Sequence, residues 1–190
     1  MSEKIICHLI AGFLGAGKTN FIQQLASYKP QNERWAILVN EVGLQTYPVE
    51  SFKTQNIVVK TVLGGCLCCT AGLPFRVALN DMIKDHKPDR IFIEPAGAGH
   101  LDNIKTLLQG EFYLPIIELA DTQCLLNITH LNNPDIAEHS SYLGLIEQAD
   151  NLLVYAGNAL EKAEALSLHY KKPLTILHGT LEDVSLLSKR

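Results

Sequence analysis

The sequence predicts an α/β fold, a three-layer α/β/α sandwich built around a mainly parallel sheet. Short apolar runs, each suited to a buried strand, alternate with longer stretches whose apolar residues recur at helical spacing. No internal repeat or low-complexity tract interrupts this order. Such alternation sets parallel strands side by side and covers both faces of the sheet with helices.

Seven runs are predicted strands and five stretches are predicted helices. The strands are residues 5–11, 35–39, 57–62, 90–93, 124–128, 152–155 and 174–177. The helices are residues 18–28, 73–86, 102–109, 136–148 and 159–169. Residues 129–141, THLNNPDIAEHSS, are rich in Asn, Ser and Pro and are predicted to be a mobile surface loop that runs into a helix.

Length and composition narrow the function classes. A chain of 190 residues with 47% hydrophobic content can bury one substantial core, which predicts a single domain over residues 1–190. The net charge of −4 gives no basic footprint for nucleic acid or an anionic membrane. No stretch approaches the roughly 18 apolar residues of a membrane span, and the first apolar run is short for a signal peptide. We therefore expect a cytoplasmic protein.

Residues 12–19, GFLGAGKT, match the phosphate-loop pattern G-x-x-x-x-G-K-[ST] directly after a predicted strand and at the start of a predicted helix. Glycines let backbone N–H groups turn toward phosphates, and the first helical turn adds its positive dipole end. Lys18 is expected to reach the β- and γ-phosphates, and the Thr19 hydroxyl to ligate Mg²⁺. This arrangement predicts a P-loop NTPase. The candidate nucleotide-binding residues here are Gly12, Gly15, Ala16, Gly17, Lys18, Thr19 and Asn20.

A carboxylate follows the predicted strand 90–93. Glu94 ends this strand, and Gly97 comes three residues later. Because ligands of open α/β sheets bind at the carboxyl ends of the strands, Glu94 is a candidate catalytic residue that holds Mg²⁺ through water, with the Gly97 amide near the γ-phosphate. The alternative is that Glu94 is a solvated strand terminus.

Three of the five cysteines fall within four positions of the segment GGCLCCT, residues 64–70. The thiolates of Cys66, Cys68 and Cys69 match the soft, tetrahedral preference of Zn²⁺ or Cu⁺ and leave one ligand position open. A redox role, given the C-x-x-C spacing of Cys66 and Cys69, and a packing role both remain as alternatives. Cys7 and Cys124 lie inside apolar runs and are predicted core residues.

Four motifs together resemble the CobW-like metal-chaperone GTPases, the CobW/HypB/UreG family. They are GFLGAGKT at 12–19, NEVG at 40–43, GGCLCC at 64–69 and EPAG at 94–97. The resemblance implies binding and slow hydrolysis of GTP, or of another nucleoside triphosphate, with Mg²⁺. It also implies that this cycle is coupled to handling of zinc or a similar divalent metal for a client metalloprotein.

The resemblance also implies roles for individual residues. Lys18 and Thr19 take the phosphate and Mg²⁺ roles, and Cys66, Cys68 and Cys69 take the metal. Glu41, within NEVG, is a candidate carboxylate on the metal side or in a switch, and His100 is a candidate neighbour. The other histidines, His130 among them, are interpreted as structural.

Departures from the family pattern favour a divergent member. Residues 155–158, YAGN, stand where the family has Asn-Lys-x-Asp, so Asn158 is the candidate for the nucleotide base. An amide offers one acceptor where Asp offers two, which predicts relaxed base specificity. Ala96 replaces the usual Thr before Gly97, and neither the C-terminal CobW domain nor its His-rich linker is represented in these 190 residues.

Three functions therefore remain open from the sequence. The first is a metal-linked GTP hydrolase, slow and degenerate in part. The second is a divergent regulatory module that binds nucleotide with weak or no hydrolysis. The third is a small-molecule kinase, which is disfavoured because the four arginines do not cluster as a lid requires.

Overall fold

The computed structural model describes residues 3–40, 47–62, 72–95, 98–156 and 160–180, with only the backbone described at residue 40 and at residues 98–100. Its strands are β1 (Ile5–Gly12), β2 (Trp35–Asn40), β3 (Ile57–Thr61), β4 (Arg90–Pro95), β5 (Ile117–Leu119), β6 (Gln123–Leu126), β7 (Asn151–Tyr155) and β8 (Leu174–Leu177). Its helices are α1 (Lys18–Ser27), α2 (Val49–Thr54), α3 (Gly72–His86), α4 (Ala98–Leu108), α5 (Ile128–Leu131), α6 (Pro134–Ala137), α7 (Ser140–Gln148) and α8 (Leu160–Tyr170).

All the strand pairings in the described ranges are parallel, and they join the strands into one sheet of order β3-β2-β4-β1-β6-β7-β8. The short β5 pairs with the first half of β1, on the side where β6 pairs with its second half. The strand order reverses around β1, which has β4 on one side and β6 on the other. In doubly wound sheets the ligand crevice opens at such a reversal, at the carboxyl ends of the strands.

Strand β1 shows why the sheet is buried on both faces. Its side chains alternate, so that Cys7, Leu9 and Ala11 join one apolar cluster while Ile10 joins the other. The first cluster includes residues of α3, α4, α7 and α8, and the second includes residues of α1 and α2. Helices therefore cover both faces, and the predicted α/β/α sandwich with a parallel sheet is confirmed.

The segment between β6 and α7 differs from the sequence prediction. Residues 129–141 were expected to be a loop, yet they contain α5 and α6, and the helix predicted over 136–148 is divided. Side chains of Asn127, Asn133 and His139 accept hydrogen bonds from the backbone N–H groups of Thr129, Asp135 and Ser141, respectively. Each of these caps starts a new helix, so the chain forms three short helices in place of one loop and one helix.

Two further elements were not predicted. Helix α2 has six residues and β5 has three, so neither is long enough to give a clear periodic signal. The strand predicted over 124–128 ends at Leu126, because the next residue, Asn127, is the N-cap of α5.

Candidate functional site

The phosphate loop connects β1 to α1 and depends on two glycines for its path. A Cβ on Gly12 would lie 2.9 Å from the carbonyl oxygen of Leu125 and 3.0 Å from the Cβ of Ala16, so only glycine fits without a shift of the backbone. Gly17 precedes the first residue of α1 with φ 94°, in the left-handed region that glycine enters readily. The loop thus turns sharply between a buried strand and a helix, as the sequence predicts.

Lys18 begins α1, and its side chain is only 3% exposed. Its Nζ donates to the carbonyl oxygen of Gly12 at 3.1 Å and to that of Phe13 at 3.4 Å. The backbone N–H of Ala16 closes the loop by donating to the Phe13 oxygen at 2.9 Å. The ammonium group is therefore held inside the turn, close to the N-terminus of a ten-residue helix. Its charge and the positive end of the helix dipole both favour the binding of an anion.

Thr19 and Glu94 come together across 75 positions of sequence. The Thr19 hydroxyl donates to Glu94 Oε1 at 3.0 Å and lies 3.3 Å from Oε2. Glu94 is only 3% exposed, so it is not the solvated strand end that the sequence left as an alternative. A hydroxyl and a buried carboxylate are hard oxygen donors of the kind that Mg²⁺ prefers, so these residues fit that ion.

Tyr47 also contacts Glu94, and no motif in the sequence indicated this contact. The Tyr47 hydroxyl donates to Glu94 Oε2 at 2.6 Å, and its ring lies 6.0 Å from that of Phe52, the buried residue of α2. The Glu94 carboxylate thus accepts from two hydroxyl groups, one on α1 and one between β2 and α2. This pairing is expected of a buried charge, which is costly unless it is hydrogen-bonded.

Asn127 and His130 support the phosphate loop from the far side, and sequence reasoning missed both. Asn127 Nδ2 donates to the carbonyl oxygen of Gly15 at 3.0 Å. His130 is 8% exposed and hydrogen-bonds with the backbone of Leu14. Burial first, and then the charge of Lys18, lowers the pKa of His130, whereas its bond with Leu14 acts in the opposite direction. In the sequence, His130 follows the N-cap residue Asn127 by three positions, but this spacing does not predict a contact with the phosphate loop.

The remaining predicted site residues are not among those described. Glu41, Cys66, Cys68, Cys69, Gly97 and Asn158 lie outside the described residues, as does Ala96, and the side chain of His100 is likewise not described. Because the strands are parallel, those that lead toward these segments have their carboxyl ends at the same edge of the sheet. They are β2, which ends at Asn40, β3 at Thr61, β4 at Pro95 and β7 at Tyr155.

Cys7 and Cys124 lie in the core, as predicted, and within the described ranges they are free thiols. Burial raises the pKa of both, that of Cys124 to about 12, so neither offers a thiolate at neutral pH. The described residues hold no group of three or more His, Cys, Asp or Glu side chains placed to bind a metal. None of the helices in the described part of the chain is long and apolar enough to cross a membrane.

Solved structures share this fold. The Zn(II)-bound YjiA GTPase of E. coli has a TM-score of 0.61 and 18% identity, over 93% of this chain and 58% of that one. HypB of Helicobacter pylori in complex with nickel has a TM-score of 0.62 and 15% identity, over 96% of this chain and 83% of that one. Both likenesses concern the fold alone.

The sequence itself is similar to proteins described as zinc chaperones. It is 40% identical over 143 residues to the zinc chaperone YeiR of Escherichia coli (strain K12). These residues cover 75% of this chain and 44% of that protein. The chain spans about half the length of the curated relatives it matches. Residues 6–171 match the family model "CobW/HypB/UreG, nucleotide-binding domain". The chain belongs to the CobW/HypB/UreG family.

Proposed function

We propose that the protein is a slow GTP-hydrolysing metallochaperone that couples its nucleotide cycle to binding and delivery of zinc, or a similar divalent metal, through the cysteines of residues 66–69. Residues 1–190 act in this proposal as one nucleotide-binding domain. The contact between Thr19 and Glu94 at 3.0 Å carries the nucleotide half of the proposal, because it joins the phosphate loop to a buried carboxylate at the end of β4. The GTPase fold and the similarity to zinc chaperones support the rest.

The phosphate loop supplies the groups that hold the triphosphate. Lys18 is already oriented inside the loop by the Gly12 carbonyl, so its ammonium group is placed to exchange a carbonyl for a phosphate oxygen. Gly15, Gly17 and Asn20 provide backbone N–H groups of the loop and of the first turn of α1, and Ala16 shapes the loop through its N–H bond to Phe13. Catalysis here is positioning and charge stabilisation, which these residues provide without forming a covalent bond.

Thr19 and Glu94 are the residues that would hold Mg²⁺. The Thr19 hydroxyl oxygen would be a direct ligand, and the Glu94 carboxylate would bind the ion through a water molecule. When bound, the ion neutralises the charge that develops on the phosphoryl group. Glu94 and Lys18 are therefore the proposed catalytic residues, with the Gly97 amide near the γ-phosphate.

Zinc is the proposed cargo of the neighbouring segments. Cys66, Cys68 and Cys69 supply the thiolates, and Glu41 is the candidate further carboxylate. The cysteine segment follows β3 and Glu41 follows β2, and both strands end on the side of the sheet where β1 leads into the phosphate loop. Two ligands at one edge of a sheet can bias the same intervening chain, and any such coupling of their affinities is reciprocal.

The client is proposed to be a metalloprotein that receives the ion from this incomplete thiolate shell. Thiolates stay reduced in the cytoplasm, so we place the activity there. The client meets the protein in the metal-loaded state, since only that state carries the cargo.

Hydrolysis and metal binding are tested together. Release of γ-phosphate from GTP, ATP and XTP is measured with Mg²⁺, with and without Zn²⁺, for the wild-type protein and for Cys68→Ser. We expect turnover that changes on adding zinc in the wild type and loses this response in Cys68→Ser. Cys7→Ala is the matched control, because it removes a core thiol and should keep the zinc response. Absence of turnover with all three nucleotides would contradict the proposed hydrolase.

A second candidate function is a regulatory module that binds nucleotide with weak or no hydrolysis and relaxed base choice. It is favoured by Asn158 in place of the base-reading Asp and by Ala96 in place of Thr. Loss of one acceptor to the base costs about 1 to 3 kcal/mol, so guanine preference falls about tenfold or more. Calorimetric titration separates the two: tight binding of GTP and ATP alike, without phosphate release, favours the regulatory module.

A further inference from the structure

The three residues at the start of the phosphate loop are each contacted by the chain between β6 and α7. The Phe13 ring meets those of His130 and Tyr142 edge to face, with ring centroids 5.5 and 5.8 Å apart. Leu14 hydrogen-bonds through its backbone with His130, and Gly15 accepts a hydrogen bond from the Asn127 amide. This connector therefore forms one wall of the loop.

Asn127 uses both ends of its side-chain amide. Nδ2 donates to the Gly15 carbonyl at 3.0 Å, while Oδ1 accepts from the Thr129 backbone N–H at 2.8 Å and caps α5. The cap fixes the orientation of the amide, so the helix and the loop are held by the same rigid group. One turn later, α5 carries His130 to the same stretch of loop.

One ring nitrogen of His130 has an environment that support of the loop does not explain. Its Nδ1 is buried without a hydrogen-bond partner among the described residues, although its ring is bonded with the Leu14 backbone. A Cβ on Gly15 would lie 3.9 Å from His130 Nε2, so the ring lies against the loop. Buried polar nitrogens are nearly always paired, and one that is not, beside a binding loop, needs a functional account.

The groups that the structure shows near the imidazole, among the described residues, are neutral or cationic. Lys18 of α1 acts on it electrostatically. Tyr142 of α7 contacts its ring, and His139 contacts the shared Phe13 ring with centroids 6.4 Å apart. From α8, Lys162 donates to the carbonyl oxygen of Leu131, the next residue. A proton on His130 is therefore disfavoured by this environment, and a polyanion in the loop would change that balance.

We propose that His130 is a positioning residue of the nucleotide site, which fixes the phosphate-loop backbone together with Asn127 and binds a proton when phosphates occupy the loop. Burial is the first reason that the imidazole stays neutral, and repulsion from Lys18 is the second. Phosphate oxygens next to Lys18 bring negative charge and offset that repulsion. By reciprocity, protonation of His130 then strengthens binding of the nucleotide. This inference rests on the proposed nucleotide site.

Calorimetry measures the proton directly. GTP with Mg²⁺ is titrated near pH 6.5 in buffers of different ionisation enthalpy, and the number of protons taken up is compared between wild type and His130→Gln. Gln keeps a hydrogen bond to the loop but cannot titrate, so we expect affinity within about fivefold of wild type and a clear loss of proton uptake. His86→Gln, an exposed histidine at the end of α3, should behave as wild type in both respects.

A second measurement needs no variant, so a folding defect in His130→Gln does not block the test. The ring proton signals of His130 in the wild-type protein are titrated by NMR with and without nucleotide, and the midpoint should move to higher pH when nucleotide is bound. Equal proton uptake in wild type and His130→Gln, or an unmoved midpoint with nucleotide bound, would overturn the inference alone. No binding by the wild type would overturn the nucleotide site and the inference together.

Discussion

The hydroxyl group of Tyr47 donates a 2.6 Å hydrogen bond to the carboxylate of Glu94, 47 residues away in the chain. Both side chains are buried, and Thr19 of the phosphate loop donates to the same carboxylate. The orientation of Glu94 is thus set by one group from the loop and one from the chain that leads into α2. Tyr47 connects the segment after β2 to the proposed Mg²⁺ position.

Replacing Tyr47 with Phe should remove this bond and keep the ring packing against Phe52. Glu94 then retains only part of its hydrogen bonding in a buried position, which should cost about 1 to 3 kcal/mol of unfolding free energy, measured by urea denaturation. Nucleotide affinity should change in the presence of Mg²⁺ and stay the same in its absence. Tyr113→Phe is the control, because it loses a hydroxyl bond to Asn80 far from the loop. An unchanged Mg²⁺ dependence in Tyr47→Phe would contradict this role.

Replacing Lys18 with Ala should weaken nucleotide binding about 10- to 100-fold, because charge-assisted hydrogen bonds contribute about 1.5 to 3 kcal/mol. Calorimetric titration with GTP and Mg²⁺ measures the effect. Lys53→Ala is the matched control, since Lys53 is an exposed lysine paired with Glu50 on α2. Equal affinity in Lys18→Ala and Lys53→Ala would show that the phosphates bind elsewhere.

Replacing Gly12 with Ala should lower the unfolding free energy by about 1 to 3 kcal/mol, as overpacking does in a close-packed site. The new Cβ would press on the Leu125 carbonyl, and φ 151° is unfavourable for an L side chain. Gly72→Ala provides the comparison: among the residues that the structure describes, no neighbour lies within 4 Å of the Cβ position at Gly72, which begins α3. Thermal denaturation of the two variants measures the contrast, and equal melting temperatures would refute it.

His8 should make the fold less stable as the pH is lowered. Burial, and secondarily the charge of Arg90, lowers the pKa of His8 from 6.5 to about 3. The unfolded chain therefore binds a proton below pH 6.5 that the folded state does not accept until about pH 3. The contribution of neutral His8 is fully present above pH 6.5 and is lost as the pH falls, by up to about 1.4 kcal/mol per pH unit.

Unfolding free energies at pH 7, 6 and 5 measure this slope, which should be reduced in His8→Leu. His169→Leu, which changes an exposed histidine of α8, should keep the wild-type slope. The same slope in all three proteins would assign the acid sensitivity to other groups.

The segment from β1 through α1 was predictable because its signals are local. An apolar run, spaced glycines and a helical pattern follow one another within about 25 residues, and the strand and helix lie within a residue of their expected bounds. The parallel sandwich followed from the same alternation repeated along the chain. Elements as short as α2, with six residues, and β5, with three, left too little pattern to detect.

The side chains around the loop could not be predicted in the same way. Asn127 lies 112 residues from Gly15, and Tyr47 lies 47 residues from Glu94, so no spacing rule connects them. His130 lies in a polar stretch of sequence, where a histidine gives no sign of contact with the loop. The contact depends on the short capped helices α5 and α6, which were not predicted. The cysteine cluster and Asn158 remain predictions from sequence.

The carbonyl oxygens of Gly12 and Phe13 give the Lys18 ammonium acceptors within its own loop. Because the buried ammonium group already has acceptors, the chain can fold before it binds a triphosphate. Folding and nucleotide binding are then separate events, and in the proposed cycle Lys18 returns to these two carbonyl oxygens after each turnover.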